Sequence, residues 1–232
     1  MNFFGHAAVA SWSLTRAGSG SGSIGDTGAL VLGAMLPDFA TMCGARLADA
    51  VDPAIARGIA LHHRADGVFH VLPVVLGLMR ELGARLDAAG CARGPSRAVS
   101  HIGTELLLDG VLVADASYRT AYLAGLAAEP AGVRWREAEP ASAVAPSGDA
   151  RFALLLTRLR THGVPDDLRG IDAICMRLAR ALSGRPRLAP SAEDLRVIRA
   201  ALAAQQSRVE VAADAVMRGM RAGLAPASGS AP

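Results

Sequence analysis

The sequence predicts an all-α fold, and three observations carry that prediction. Alanine and leucine dominate a chain of 232 residues that is 51% hydrophobic and 4% aromatic, a balance that favours helix over strand. No stretch alternates apolar and polar residues long enough to make a half-buried strand. Helix-start signals recur, with proline at a first helical position after Asp52 and serine ahead of apolar runs at Ser96 and Ser191.

Taken in order, residues 2–15 form a first helix with His6 in its first half. Residues 17–28 form a Gly/Ser loop by composition. The loop contains a formal GxGxxG at Gly20, Gly22 and Gly25, but no strand precedes it, so it lacks the context of a phosphate cradle. Residues 29–36 are a buried helix or strand stopped by Pro37. Asp52-Pro53 opens a helix over 53–70, Pro73 ends or kinks it, and a further helix spans 74–89. After a loop at 90–96, Ser96 caps a helix over 97–127. Residues 129–149 are a Pro/Ala/Ser/Glu-rich surface loop. Helices follow over 149–162, 166–183 and 191–223, the last with Ser191-Ala-Glu-Asp194 as a capping box. The Ala/Pro/Ser end of the chain has the composition of a disordered tail. The expected organisation is a metal-binding helical core over 1–128, a loop over 129–148, C-terminal helices over 149–223 packed on that core, and a tail over 224–232.

Charge and cysteine usage exclude several classes. The net charge is +3 and dispersed, which argues against a nucleic-acid surface. All 24 cationic side chains are arginine, a residue that stays charged and grips phosphate in a bidentate fork. Cys43, Cys91 and Cys175 are odd in number and far apart, with no zinc-finger spacing, so they read as packed or idle reduced thiols. The first basic residue, Arg16, follows the first apolar stretch, the wrong order for a signal peptide. The longest apolar run, Gly28–Leu36, is too short to span a membrane. The expectation is a soluble cytoplasmic protein with no membrane span.

The chemistry is concentrated in the first half, where five of the six histidines fall within 101 residues. On a helix, positions four apart share a face, so His62, Asp66 and His70 form one row, and His101, Glu105 and Asp109 another. Packed antiparallel, two such helices bring the rows together around one or two cations, with His6 and Asp38 completing the shell. Imidazole and carboxylate suit Mn, Zn, Fe or Mg, and an open position on such a site activates water. His63 points about 100° away from His62, so one of the two is not a ligand. Asp66 and Asp109 sit among apolar neighbours, where a carboxylate is costly unless paired or metal-bound. A salt bridge to arginine is the rival explanation for Asp109. Arg64 is placed to hold a phosphate oxygen, with Arg57 a weaker candidate. His162, before Gly163, belongs at a helix C-terminus.

These residues also resemble a known family. Met1-Asn-Phe-Phe-Gly-His6 is similar to the Met-Asn-(Phe/Tyr)-Leu-Ala-His start of the acyl-carrier-protein phosphodiesterases. Leu32-Gly-Ala-Met-Leu-Pro-Asp38-Phe39 resembles that family's Leu-Gly-Asn-x-Leu-x-Asp-Phe. Gly58-Ile-Ala-Leu-His62-His-Arg64-Ala-Asp66 resembles its Gly-Ile-x-x-His-Arg-x-Ile-Asp, with Pro73 where its proline follows. Glu105-Leu-Leu-Leu-Asp109-Gly-Val-Leu resembles its Asp-x-x-x-Asp-His-Phe-Leu. The four blocks cover residues 1 to about 115. The resemblance implies an HD-domain-like helical bundle, here with extra C-terminal helices. It also implies a divalent metal, Mn foremost, that hydrolyses a phosphodiester, in the family the phosphopantetheine arm of acyl carrier protein.

Carried over, His6, Asp38, His62, Asp66 and Asp109 form the metal site, Glu105 stands for a family aspartate, and Arg64 faces phosphate. His70 or His101, if not ligated, protonates the leaving group. The expected partner is acyl carrier protein or a phosphorylated small molecule. The departures are His70 for an acidic residue, Gly110 for a histidine, Ala8 for a second N-terminal histidine, and an added His101. They leave two other readings open: a non-catalytic helical binder with a remodelled metal pocket, and a metal-dependent hydrolase of phospholipid head groups.

Overall fold

A computed structural model of the chain describes residues 1–16, 24–136 and 146–225. Among the described residues it holds nine α-helices and a single two-stranded sheet, so the all-α expectation stands. The helices are α1 (Phe3–Arg16), α2 (Ile24–Met42), α3 (Pro53–Phe69), α4 (Pro73–Ala88), α5 (Arg93–Leu112), α6 (Ala116–Ala127), α7 (Gly148–His162), α8 (Ile171–Ser183) and α9 (Ala192–Leu224). The strands are β1 (Arg46–Ala50) and β2 (Val133–Arg136). No single described helix is long and apolar enough to cross a membrane.

Most helices fall where the sequence places them, and the differences have local causes. Pro37 does not stop the second helix, because α2 runs through it to Met42. A proline inside a helix removes one backbone donor and crowds the carbonyl four residues back, a cost that the burial of Leu32, Met35, Leu36 and Phe39 on either side of it outweighs. The expected helix over 97–127 is two helices. Asp115 breaks it by accepting from the amides of Ser117 (2.7 Å) and Tyr118 (3.2 Å), starting α6 afresh. Ser96 is not a cap but lies inside α5, where its hydroxyl donates to Asp87 at 2.5 Å. The Ser191–Asp194 capping box forms as expected at the start of α9. Strand β2 arises in a stretch expected to be loop, and pairs antiparallel with β1 through a bulge between Leu47 and Asp49. Trp135 anchors it against Phe152, ring centroids 5.1 Å apart, over Gly148. The GxGxxG motif lies largely outside the described residues, as do residues 137–145 and the tail from 226; Gly25 is already in α2.

The chain divides into two compact units, each assembled from separated segments. One comprises Asn2–His63 and Leu112–Arg169; the other comprises Met1, Arg64–Val111 and Gly170–Pro232. Helices α3 and α5 each pass from one unit to the other.

In the first unit α1, α2 and α6 pack on one another. Their contact is built from small residues, with Ala7, Ala8 and Ala10 fully buried on α1. A Cβ on Gly125 of α6 would lie 2.7 Å from the end of Met35 on α2, so the glycine permits the approach. Phe3, Phe4, Phe39 and Tyr122 form an aromatic cluster with centroid separations of 5.3 to 6.0 Å. Helices α2 and α3 cross at a glycine pair. A Cβ on Gly33 would lie 2.2 Å from the Ile55 carbonyl oxygen, and one on Gly58 2.2 Å from that of Leu30. That crossing sets His62 against α2.

In the second unit α9 packs on α4 and α8. Its buried positions, including Ile198, Ala201, Leu202, Gln205, Val209, Ala213 and Val216, recur at three and four residues. Gln205 is buried and satisfied, donating to the Leu78 carbonyl and accepting from Arg85. The turn Leu106–Asp109 of α5 is buried all round.

Candidate metal centre

Two groups of potential ligands form, one inside each unit. In the first, His6, Asp38 and His62 each bring one ligand atom within 4.8 Å of the others. His6 comes from α1, Asp38 from α2 immediately after Pro37, and His62 from α3. Both imidazoles are buried and the Asp38 carboxylate is 27% exposed, so the group reaches solvent through the acid. His62 Nδ1 lies 2.9 Å from the Ala34 carbonyl oxygen. A carbonyl only accepts, so Nδ1 carries the hydrogen and the neutral ring presents its lone pair at Nε2. This backbone anchoring is what orients ligating histidines in metal sites. His6 Nε2 lies 4.0 Å from Asp38 Oδ2, and the His6 ring stacks on His62, with centroids 3.8 Å apart and planes 22° from parallel. His63 is exposed, as the helical geometry requires once His62 is buried.

In the second unit His70, His101 and Glu105 converge. His70 follows the last turn of α3, while His101 and Glu105 are one turn apart on α5. His70 Nδ1 donates to the Asp66 carbonyl at 3.0 Å, which turns its Nε2 toward His101 Nε2 (2.8 Å) and Glu105 Oε1 (3.2 Å). His101 Nε2 lies 2.9 Å from the same oxygen. The α-ammonium of Met1 donates to Glu105 Oε1 at 2.9 Å and to Asp66 Oδ1 at 3.0 Å.

The electrostatics follow from these contacts. Burial pushes the Glu105 carboxyl up, but His101, His70 and the Met1 ammonium outweigh it and hold the group well below the usual carboxylate range. Hydrogen bonding to Glu105 raises His101. Burial works against the Met1 ammonium, yet Glu105 and Asp66 keep it above its ordinary value.

The six expected ligands are divided between the two units, three in each. His6, Asp38 and His62 group together, Glu105 joins His70 and His101, and Asp66 and Asp109 fall in neither triad. Asp66 meets the Met1 ammonium. Asp109 is fully buried on α5. His70 and His101, expected as proton donors, are tied to Glu105. Arg64 is exposed and lines an open cleft of about 540 Å³ with Gly67, Val68, Gly223, Leu224 and Ala225; Arg57 is exposed. Of the thiols, Cys91 is buried and pushed up to about 12 by burial and the neighbouring Asp194, which makes it an inert packing residue. His162 ends α7, exposed, 3.8 Å from Asp167.

Sequence reasoning missed two partners, the Met1 ammonium and the Ala34 carbonyl. Both are backbone groups that every chain carries, so no residue type signals them. No protein family, curated protein or solved structure matches the chain.

Proposed function

We propose that the protein is a metal-dependent phosphohydrolase of the phosphodiesterase class, with its catalytic cation held by His6, Asp38 and His62. The observation that carries this reading is the buried pair of imidazoles beside one partly exposed carboxylate, with His62 fixed by Ala34 so that the lone pair of its neutral ring is at Nε2. When bound there, a divalent ion supplies a Lewis acid that polarises a phosphoryl oxygen and acidifies water.

The residues have distinct tasks. Asp38 lowers the cost of bringing a cation beside two buried rings and is the group nearest solvent. His62 keeps its tautomer and resists rotation. His6 is the ring that moves, because stacked imidazoles do not aim their lone pairs at one point and His62 is held. Manganese is the first choice of ion, with zinc, iron and magnesium as alternatives. The phosphopantetheine arm of a carrier protein is the substrate suggested by the four sequence blocks. A phosphorylated small molecule and a phospholipid head group are the other substrates to assay.

The depth of the site favours one alternative, a helical protein that binds metal without turnover, since both imidazoles are buried. The test is hydrolysis of a chromogenic phosphodiester and of phosphopantetheinyl carrier protein with Mn, for the wild type and for His62→Ala. Turnover lost with His62→Ala supports the hydrolase. Bound metal without turnover on either substrate selects the binder.

A further inference from the structure

We propose that His70, His101 and Glu105 form a second divalent-cation site, of zinc-binding character, independent of the His6 triad. The argument starts from the proton count. His70 Nδ1 is committed to the Asp66 carbonyl, so the neutral ring offers only a lone pair at Nε2. Glu105 is an acceptor. His101 Nε2 has at most one hydrogen, yet it lies 2.8 Å from one acceptor and 2.9 Å from the other, and these are 3.2 Å apart. With both rings neutral, three lone-pair atoms crowd one point with a single ring proton among them, and the Met1 ammonium reaches only Glu105 of the three, whereas one cation satisfies them all.

The spacing fits as well. Zinc takes imidazole nitrogen at about 2.0–2.1 Å and carboxylate oxygen at similar range, so tetrahedral ligand atoms lie about 3.3 Å apart. The observed separations of 2.8, 2.9 and 3.2 Å need to open by only a few tenths of an ångström. The rings are also suitably disposed, nearly perpendicular at 78° with centroids 4.8 Å apart, unlike the His6–His62 stack. The His70 and His101 side chains are 35% and 48% exposed, so the fourth position faces solvent. Glu105 is now neutralised by the Met1 ammonium. With a cation in place that ammonium keeps Asp66, 3.0 Å away, as its partner.

Untagged protein, stripped with chelator and titrated with Zn²⁺, is assayed for bound metal by calorimetry and elemental analysis. His70→Ala and His101→Gln are expected to bind one equivalent fewer than wild type, with unchanged circular dichroism. Co²⁺ loading of the wild type is expected to show the visible absorption of a low-coordinate nitrogen/oxygen site, lost in both variants. Equal stoichiometry in wild type and His101→Gln, or no zinc bound by the wild type, overturns the proposal. His62→Ala reports separately on the other triad, so failure of one site is distinguishable from failure of the other.

Discussion

Replacing Glu105 by glutamine tests the second cluster without metal. The substitution keeps shape but removes the charge that binds His101 and the Met1 ammonium. Hydrogen bonds to charged groups contribute about 1.5–3 kcal/mol each, and the Met1 ammonium retains Asp66, so a net loss of about 3 kcal/mol is expected. For a chain of this length that lowers Tm by roughly 6–12 °C at pH 6.

The pH dependence is the sharper test, measured by thermal unfolding in chelator. Glu105 is depressed in the fold, so its contribution is present above its ordinary value of about 4.3 and is lost as pH falls through the lowered one. His101 and Met1 are raised, so theirs are complete below about 6.5 and 8.0 and are lost as pH rises through the raised values. The gap between wild type and Glu105→Gln is therefore widest between about pH 5 and 6.5 and narrows on both sides. A variant that melts within 1 °C of wild type at pH 6 (about 0.3 kcal/mol by the same scaling) would refute the reasoning. So would a gap that does not vary with pH.

Two further outcomes concern the scaffold. Gly58→Ala puts a methyl group on the Leu30 carbonyl, a contact between backbones that no rotamer relieves. It is expected to cost about 3 kcal/mol or more in chemical denaturation, while Gly77→Ala, in open space, gains up to about 1 kcal/mol. Asp194→Ala leaves the Ser191 cap of α9 but removes the carboxylate that accepts from the Ser191 amide and hydroxyl and from the Ala92 amide, and is expected to cost about 2 kcal/mol at pH 7. Hydrogen bonds from Ala92 and Ser191 hold Asp194 down to about 2, so its contribution is present above about 3.9 and fades as pH falls toward 2, where variant and wild type converge.

How far the sequence could be read depended on the range of the interaction. The start of α3 at Pro53 and the capping box at Ser191 were legible because each is decided within four residues. The single helix expected over 97–127 failed at Asp115, where an acid between helical stretches caps a new helix. Strand β2 was invisible because its partner lies over eighty residues away and its pattern is only four residues long. At the sites, residue types and helical rows were legible, including that His62 and His63 point different ways; which of them is buried came from the structure. The grouping was not: Glu105 and Asp109 share a face of α5, yet Glu105 meets two histidines and an ammonium while Asp109 joins neither triad.

The residues alone determined a helical protein with imidazoles and carboxylates gathered in its first half, because composition, four-residue spacing and caps act locally along the chain. Tertiary structure decided that those ligands divide into two triads and that α3 and α5 each serve both units. It also brought Met1 and the Ala34 carbonyl into the account. The physical reason is that a buried charge or lone pair takes whichever partner helix packing brings within about 3 Å, and that partner can lie a hundred residues away.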